Sequence, residues 1–109
     1  LSQDNYLKHY RPTLYYFRDN YELKTSDIEF LFFIYDAESF TCMDIMLEYR
    51  SSNSFITRNI PELLNKGYIK IYLERAHNRA RRYMISQKGK LLVTRFYRIL
   101  KEKENGLFK

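Results

Sequence analysis

The chain has 109 residues, one cysteine, three glycines and a formal net charge of +6; only chains below about 40 residues usually need disulfides or metals to hold a core, so one domain can close here. The single Cys42 excludes an intrachain disulfide framework and fits a reducing compartment. No stretch approaches the roughly 18 uninterrupted apolar residues of a membrane span, and nothing at the start reads as a signal peptide, so a soluble cytoplasmic protein is expected.

The distribution of charge says more than its sum. Residues 1–40 hold four Lys/Arg against seven Asp/Glu, whereas residues 41–109 hold fifteen against six. Basicity is therefore segregated, and much of it is arginine. Clustered positive charge gains free energy by releasing phosphate counterions, which points to a polyanionic partner for the C-terminal two thirds.

In chain order, Tyr6, Leu7, Tyr10, Leu14, Phe17 and Tyr21 recur at spacings of three, four or seven, the pattern of an amphipathic helix. Pro12 interrupts it, so either the helix starts near Pro12 or two pieces meet there at a kink. The aromatic stripe serves either the core or a second subunit. A second helix is marked by Ser26 and Glu29 as a capping box, with Ile28, Leu31, Phe32, Ile34 and Tyr35 at helical spacing. Phe40 then reads as a very short strand, and Thr41 as the cap of a third helix running to about Tyr49.

Arg50-Ser51-Ser52-Asn53 is a turn rich in N-cap candidates, followed by a fourth helix. A short helix, a polar turn and a second helix make the helix-turn-helix pattern, whose second helix enters the major groove. On that reading Ser52, Asn53, Ser54, Thr57 and Arg58 face DNA, while Phe55, Ile56, Ile60, Leu63 and Leu64 face the core. Arg and Asn suit bidentate contacts with base edges; the plainer reading makes Asn53 or Ser54 a helix cap. Pro61 falls within this helix and is expected to kink it or to split it at Asn59-Ile60.

Gly67 supplies a left-handed stop after Lys66. Tyr68–Glu74 and Arg82–Ser86 then read as paired strands, rich in β-branched and aromatic residues. Between them Arg75, Arg79, Arg81 and Arg82 crowd around His77 and Asn78, with His77-Asn78 at the tip. Such a basic hairpin reaches phosphates or a narrow minor groove. A charge run is more often a solvated face, so its place directly after the fourth helix carries the functional reading. A last helix runs from Ser86 or Gln87 to about Glu104, with a stripe of Leu91, Leu92, Phe96, Ile99 and Leu100, and stops at Asn105-Gly106.

Over residues 23–100 the order of elements, the turn Leu63-Leu64-Asn65-Lys66-Gly67-Tyr68-Ile69, the arginine hairpin and Arg82-Tyr83-Met84-Ile85-Ser86-Gln87-Lys88-Gly89 resemble the MarR family of winged-helix transcription regulators. PadR-type regulators share much of the pattern. The chain departs from the MarR pattern in lacking an aspartate in the hairpin, in Pro61 and in its shorter length. The resemblance implies a mainly α fold with a small β-hairpin (α+β), a single winged helix-turn-helix domain over residues 1–109. Residues 40–87 would form the helix-turn-helix and wing, and the helices 1–22 and 87–109 the dimer surface, in preference to packing on each other. The expected function is a homodimeric, sequence-specific double-stranded DNA-binding regulator, a repressor among the options, associated with the nucleoid. Its DNA-binding residues are Ser52, Asn53, Ser54, Thr57, Arg58, Arg75, His77, Asn78, Arg79 and Arg81. A small-molecule effector of unknown identity is a further partner that the resemblance allows. The alternative is a winged helix for protein interaction or nucleic-acid architecture.

Catalytic signals are missing: there is no glycine-rich phosphate loop, no HExxH and no Cys/His cluster with metal spacing, so no enzyme, metal or cofactor is expected. Cys42 falls in the first turn of the third helix, where the dipole can lower a thiol's pKa and make it a redox sensor; the plainer reading is a structural residue.

Overall fold

The structure, a computed structural model, describes residues 2–49 and 52–104, with side chains over 8–49 and 52–103. Tyr6 and Leu7 of the first stripe, Arg50 and Ser51 of the polar turn and the Asn105-Gly106 stop lie outside those limits. The elements are α1 (Ser2–Tyr21), α2 (Thr25–Ile34), α3 (Cys42–Asp44) continuing as a π-helical turn (Ile45–Tyr49), α4 (Asn53–Lys66), β1 (Ile69–Leu73), β2 (Arg82–Ile85) and α5 (Gln87–Glu104). The result is a mostly helical α+β fold carrying one small antiparallel hairpin.

Both prolines are carried inside uninterrupted helices. Helix α1 neither starts at Pro12 nor breaks there: Pro12 and Lys8, whose carbonyl loses its usual donor, are both exposed, so water can take the acceptor. One residue on, the Thr13 hydroxyl donates to the His9 carbonyl at 2.7 Å and accepts from Lys103 Nζ at 3.1 Å. Pro61 is likewise exposed, and α4 is not split at Asn59-Ile60. A solvent-facing proline sacrifices one helix bond without leaving a buried polar group.

The α2 start is two residues earlier than its sequence indicates. Asp27, not Glu29, accepts the capping backbone N–H, from Lys24 at 3.4 Å, while Ser26 is exposed. The reason lies across the fold. Asp27 is fully buried and its carboxylate also accepts a hydrogen bond from Asn59 Nδ2 of α4; a buried carboxylate needs such partners. Phe30, absent from the expected stripe, is the centre of an aromatic group, with ring centroids 5.8 Å from Phe40, 5.5 Å from Tyr49 and 5.2 Å from Phe55. Edge-to-face pairs of this kind join α2, α3 and α4.

At the third helix Thr41 is the cap, as its sequence indicates: its hydroxyl accepts from Asp44 N at 3.1 Å, and the Asp44 carboxylate accepts from Thr41 N at 2.9 Å. Phe40 forms a two-way bridge with Tyr83, each backbone N–H donating to the other's carbonyl at 2.8 Å. That bridge places Phe40 beside β2, on the edge away from β1. The β1–β2 register pairs Ile69 with Ile85 and Ile71 with Tyr83.

The stripes of α1 and α5 meet each other within the chain. Phe96 lies 5.1 Å from Phe17 and 5.8 Å from Tyr10 between ring centroids, and Leu92, Phe96 and Leu100 are buried. Because Thr13 meets Lys103 and Phe17 meets Phe96, the helices run antiparallel. Intrachain packing thus takes the surface expected to serve a second subunit. Tyr15, Tyr16, Leu91 and Tyr97 remain exposed on these helices. Among the described residues no helix is long and apolar enough to cross a membrane.

The junction of α4, hairpin and α5 is the tightest place in the fold. Gly67 has φ +85° and ends α4, with its N–H donating to the Leu64 carbonyl at 3.1 Å and that of Tyr68 to Leu63 at 3.0 Å. This is a left-handed stop of the Schellman type. Ser86 then caps α5: its hydroxyl accepts from Gly89 N at 3.1 Å and donates to the Gly67 carbonyl. A Cβ on Gly89 would stand 2.4 Å from the Tyr68 carbonyl oxygen and 2.7 Å from Ile85 Cγ1. Gly89→Ala is therefore expected to destabilise the protein by about 1–3 kcal/mol, the range for overpacking. Urea unfolding would measure it, and a loss below about 0.5 kcal/mol, the scatter of ordinary surface changes, would contradict the close approach.

Candidate nucleic-acid interface

The residues expected to contact DNA fall into two exposed groups. The first covers the opening turns of α4. Ser52 is the cap, its hydroxyl accepting from Phe55 N at 3.2 Å, a contact typically worth about 1 kcal/mol to a helix. Capping therefore falls to Ser52, and the Asn53 and Ser54 side chains have no partner among the described residues. The Thr57 hydroxyl donates to the carbonyls of Asn53 and Ser54 at 3.1 and 3.2 Å, which keeps its lone pairs as acceptors toward solvent. Arg58 is exposed and its guanidinium has no internal partner among the described residues.

Ser54, Arg58, Pro61 and Asn65 are exposed while Ile56, Asn59, Ile60 and Leu63 are buried. These spacings are the two sides of one helix. Asn59 was no part of the expected core, and it adds a directional contact to the apolar side that turns in. Its amide reaches the Asp27 carboxylate, so rotation of α4 about its axis would break this contact and leave the buried Asp27 with the Lys24 N–H alone.

The second group is the hairpin. Residues 71–80 are all exposed. Ala76 and Arg79 exchange both backbone bonds, at 3.3 and 2.9 Å, around the two-residue tip His77-Asn78, and Asn78 takes the left-handed conformation at φ +62°. Asparagine tolerates that conformation better than most residues.

The four arginines do not act alike. Arg75 and Arg79 have exposed side chains without an internal partner among the described residues. Arg81 is held by Glu74, Nε to Oε1 at 2.6 Å. The same carboxylate accepts the Arg75 backbone N–H at 2.9 Å, and that bond, then Arg81, lowers the Glu74 pKa. Arg81 is thus partly neutralised at the base of the hairpin instead of presenting a free charge. Arg82 turns the other way: its guanidinium donates to Ser39 Oγ at 2.7 Å and lies 3.8 Å from the Asp44 carboxylate. It ties the hairpin to the segment before α3. Glu74, one residue before Arg75, was the available signal for the first pairing; nothing local in the sequence signals the second.

A cleft of about 340 Å³ separates the hairpin from the start of α3, bounded by Thr41, Cys42, Met43, Arg75, Arg81 and Tyr83 among others. Within it burial raises the Cys42 thiol pKa, and this outweighs the lowering by the Tyr83 hydroxyl and by Arg81. The shift runs against a redox-sensor role for Cys42 and with the plainer reading of a structural residue. Among the described residues no group of three or more His, Cys, Asp or Glu side chains could hold a metal ion. Compared with family models, with curated proteins and with solved structures, the chain matches none.

A raised pKa means less thiolate at neutral pH than free cysteine carries, since the thiolate is the nucleophile. Alkylation of Cys42 by iodoacetamide should be slower than that of free cysteine near neutrality and should still be climbing above the ordinary thiol pKa. A rate at or above that of free cysteine would contradict the burial.

Proposed function

We propose that this chain is a winged helix-turn-helix protein of the MarR type, with PadR-type regulators as the nearer alternative, that binds double-stranded DNA and regulates transcription without catalysis. In this reading α3 and α4 are the helix-turn-helix, α4 enters the major groove and the hairpin is the wing. The supporting observation is that three exposed guanidinium groups without internal partners among the described residues, Arg58 on α4 and Arg75 and Arg79 on the hairpin, stand on the two elements that this reading sends to DNA. The chain pairs Arg18, Arg81 and Arg82 with its own carboxylates, while Arg11 on α1 and Arg95 and Arg98 on α5 are likewise exposed and in no ion pair among the described residues.

Roles within the site follow from chemistry. Arg58, Asn53 and Ser54 read base edges, where Arg prefers guanine and Asn adenine. Arg75 and Arg79 bind phosphate or the minor groove, with His77 and Asn78 at the tip. Ser52 and Thr57, whose hydroxyls already serve α4, contribute only their remaining acceptor and donor capacity, and Arg81 contributes less than its charge implies. A homodimer would set two such units about 34–36 Å apart on a near-palindromic site. With the α1 and α5 stripes packed on each other, that dimer would rest on the exposed Tyr15, Tyr16, Leu91 and Tyr97. A cytoplasmic, nucleoid-associated location belongs to the same reading.

A second reading has its own observation. Met43, Met46 and Leu47 on and after α3, and Ile71, Tyr72 and Leu73 on β1, are exposed, and apolar exposure of this extent serves protein contacts. Under it the domain is an interaction or architectural module.

Selection from a random duplex pool, followed by titration across salt, separates the two. Under the DNA reading a palindrome is enriched. Arg79→Ala weakens all sequences alike and reduces the salt slope by about 0.9 per lost phosphate contact. Arg58→Ala relaxes preference at one position, at a cost of about 1–3 kcal/mol. Unchanged affinity and slope in the Arg75→Ala, Arg79→Ala double variant would remove the DNA reading.

A further inference from the structure

Between the C-terminal end of α2, the second half of α5 and Tyr10 of α1 lies a cavity of about 220 Å³. Five aromatic residues, Tyr10, Phe32, Tyr35, Phe96 and Tyr97, line it together with a single charged one, Asp36, and aliphatic residues of α5. The Asp36 carboxylate makes no ion pair and no hydrogen bond among the described residues, in a chain that carries 19 Lys and Arg.

The position of that carboxylate is unfavourable by itself. The last turn of α2 has no basic residue, and Asp36 follows two residues beyond its end. The C-terminal end of a helix carries partial negative charge and favours a cation, not another anion. Further negative charge is close: the Tyr10 hydroxyl donates to Glu29 Oε2 at 2.9 Å, and exposed Glu38 follows Asp36. Aromatic faces around a carboxylate attract a positive group that gives up its water easily, and alkylated ammonium ions do so. Lys101 has its Nζ 5.8 Å from the Tyr97 ring centroid and forms no ion pair with Asp36, so the carboxylate stays open.

From these features we infer that the cavity binds a small free organic cation, a quaternary ammonium group seated among the rings with Asp36 as its counter-ion. Its volume lies below the roughly 300–1,000 Å³ of clefts that enclose drug-sized ligands, so the occupant is a head group in size. The negative charge of Asp36 opposes a head group that also carries phosphate, which favours a free cation over a phosphocholine lipid. The inference does not rest on DNA binding and is tested without DNA.

The full chain is titrated by NMR with choline and, separately, with its neutral isostere in which carbon replaces the ammonium nitrogen. Saturable shifts confined to Tyr35, Asp36, Tyr97 and their neighbours are expected with choline, and binding of the isostere should be weaker by roughly fivefold or more. Asp36→Asn should weaken choline by a similar roughly fivefold factor, as removal of a partly screened charge does. Because Asp36 is exposed, circular dichroism of that variant should match the parent. Equal binding of the isostere, indifference to Asp36→Asn, or shifts located elsewhere would overturn the inference. A further arm uses phosphatidylcholine vesicles. If they sediment the parent and not the variant, the free-cation assignment is overturned in favour of lipid; if both proteins stay in solution, it stands.

Discussion

The hydroxyl of Ser86 sits where three elements converge, donating to the carbonyl of Gly67 at the end of α4 and accepting from Gly89 at the start of α5. Two glycines make that convergence possible for different reasons. Gly67 supplies a left-handed turn that a side chain would strain. Gly89 lets α5 press onto the Tyr68 carbonyl, where no Cβ fits. Lys88 closes the same corner, its Nζ donating to the Lys66 carbonyl at 2.7 Å and standing 4.5 Å from the Tyr68 ring centroid. The direction in which the hairpin leaves α4, and so where its arginines point, depends on this corner.

Rotation of α4 about its own axis is restrained elsewhere, by its apolar side and by the buried Asp27–Asn59 contact. Apolar packing alone tolerates a degree of slippage, because Ile, Leu and Phe can exchange places with modest loss. A buried carboxylate cannot, since a lost hydrogen bond to a charged group costs about 1.5–3 kcal/mol. The pair thus helps to hold the exposed face of Ser54, Arg58 and Asn65 outward, and the Phe30 cluster fills the space around it. Pro61 sits on the outward side, which is why a residue that looks disruptive in the sequence leaves α4 in one piece.

Electrostatics divides the molecule more finely than the segregation of charge along the chain indicates. Arg75, Arg79, Arg81 and Arg82 look equivalent in the sequence, yet among the described residues two are solvent-facing without partners, one is held by Glu74 and one reaches back to Ser39 and Asp44. The acidic N-terminal part also has internal structure: Asp27 is buried in a hydrogen bond, whereas Asp36 lines an aromatic cavity with no partner among the described residues. Burial and geometry, not composition, decide which charges are available to a ligand.

Much was legible in the order of residues alone. Local rules located the Thr41 cap, the Gly67 stop, the Phe40 bridge, the paired strands and the His77-Asn78 tip, because each is written within a few residues: a hydroxyl before a helix, a glycine where φ is positive, alternation interrupted by a turn. The exposed side of α4 was legible from its 3.6-residue period. Tertiary structure decided what depends on residues far apart in the chain. Asp27 with Asn59, Arg82 with Ser39, and the α1 stripe against the α5 stripe are contacts across 32, 43 and roughly 80 positions. An amphipathic stripe states that a face will be buried; only the closed fold decides against what, because any apolar surface of the right size satisfies the hydrophobic effect, which has no direction.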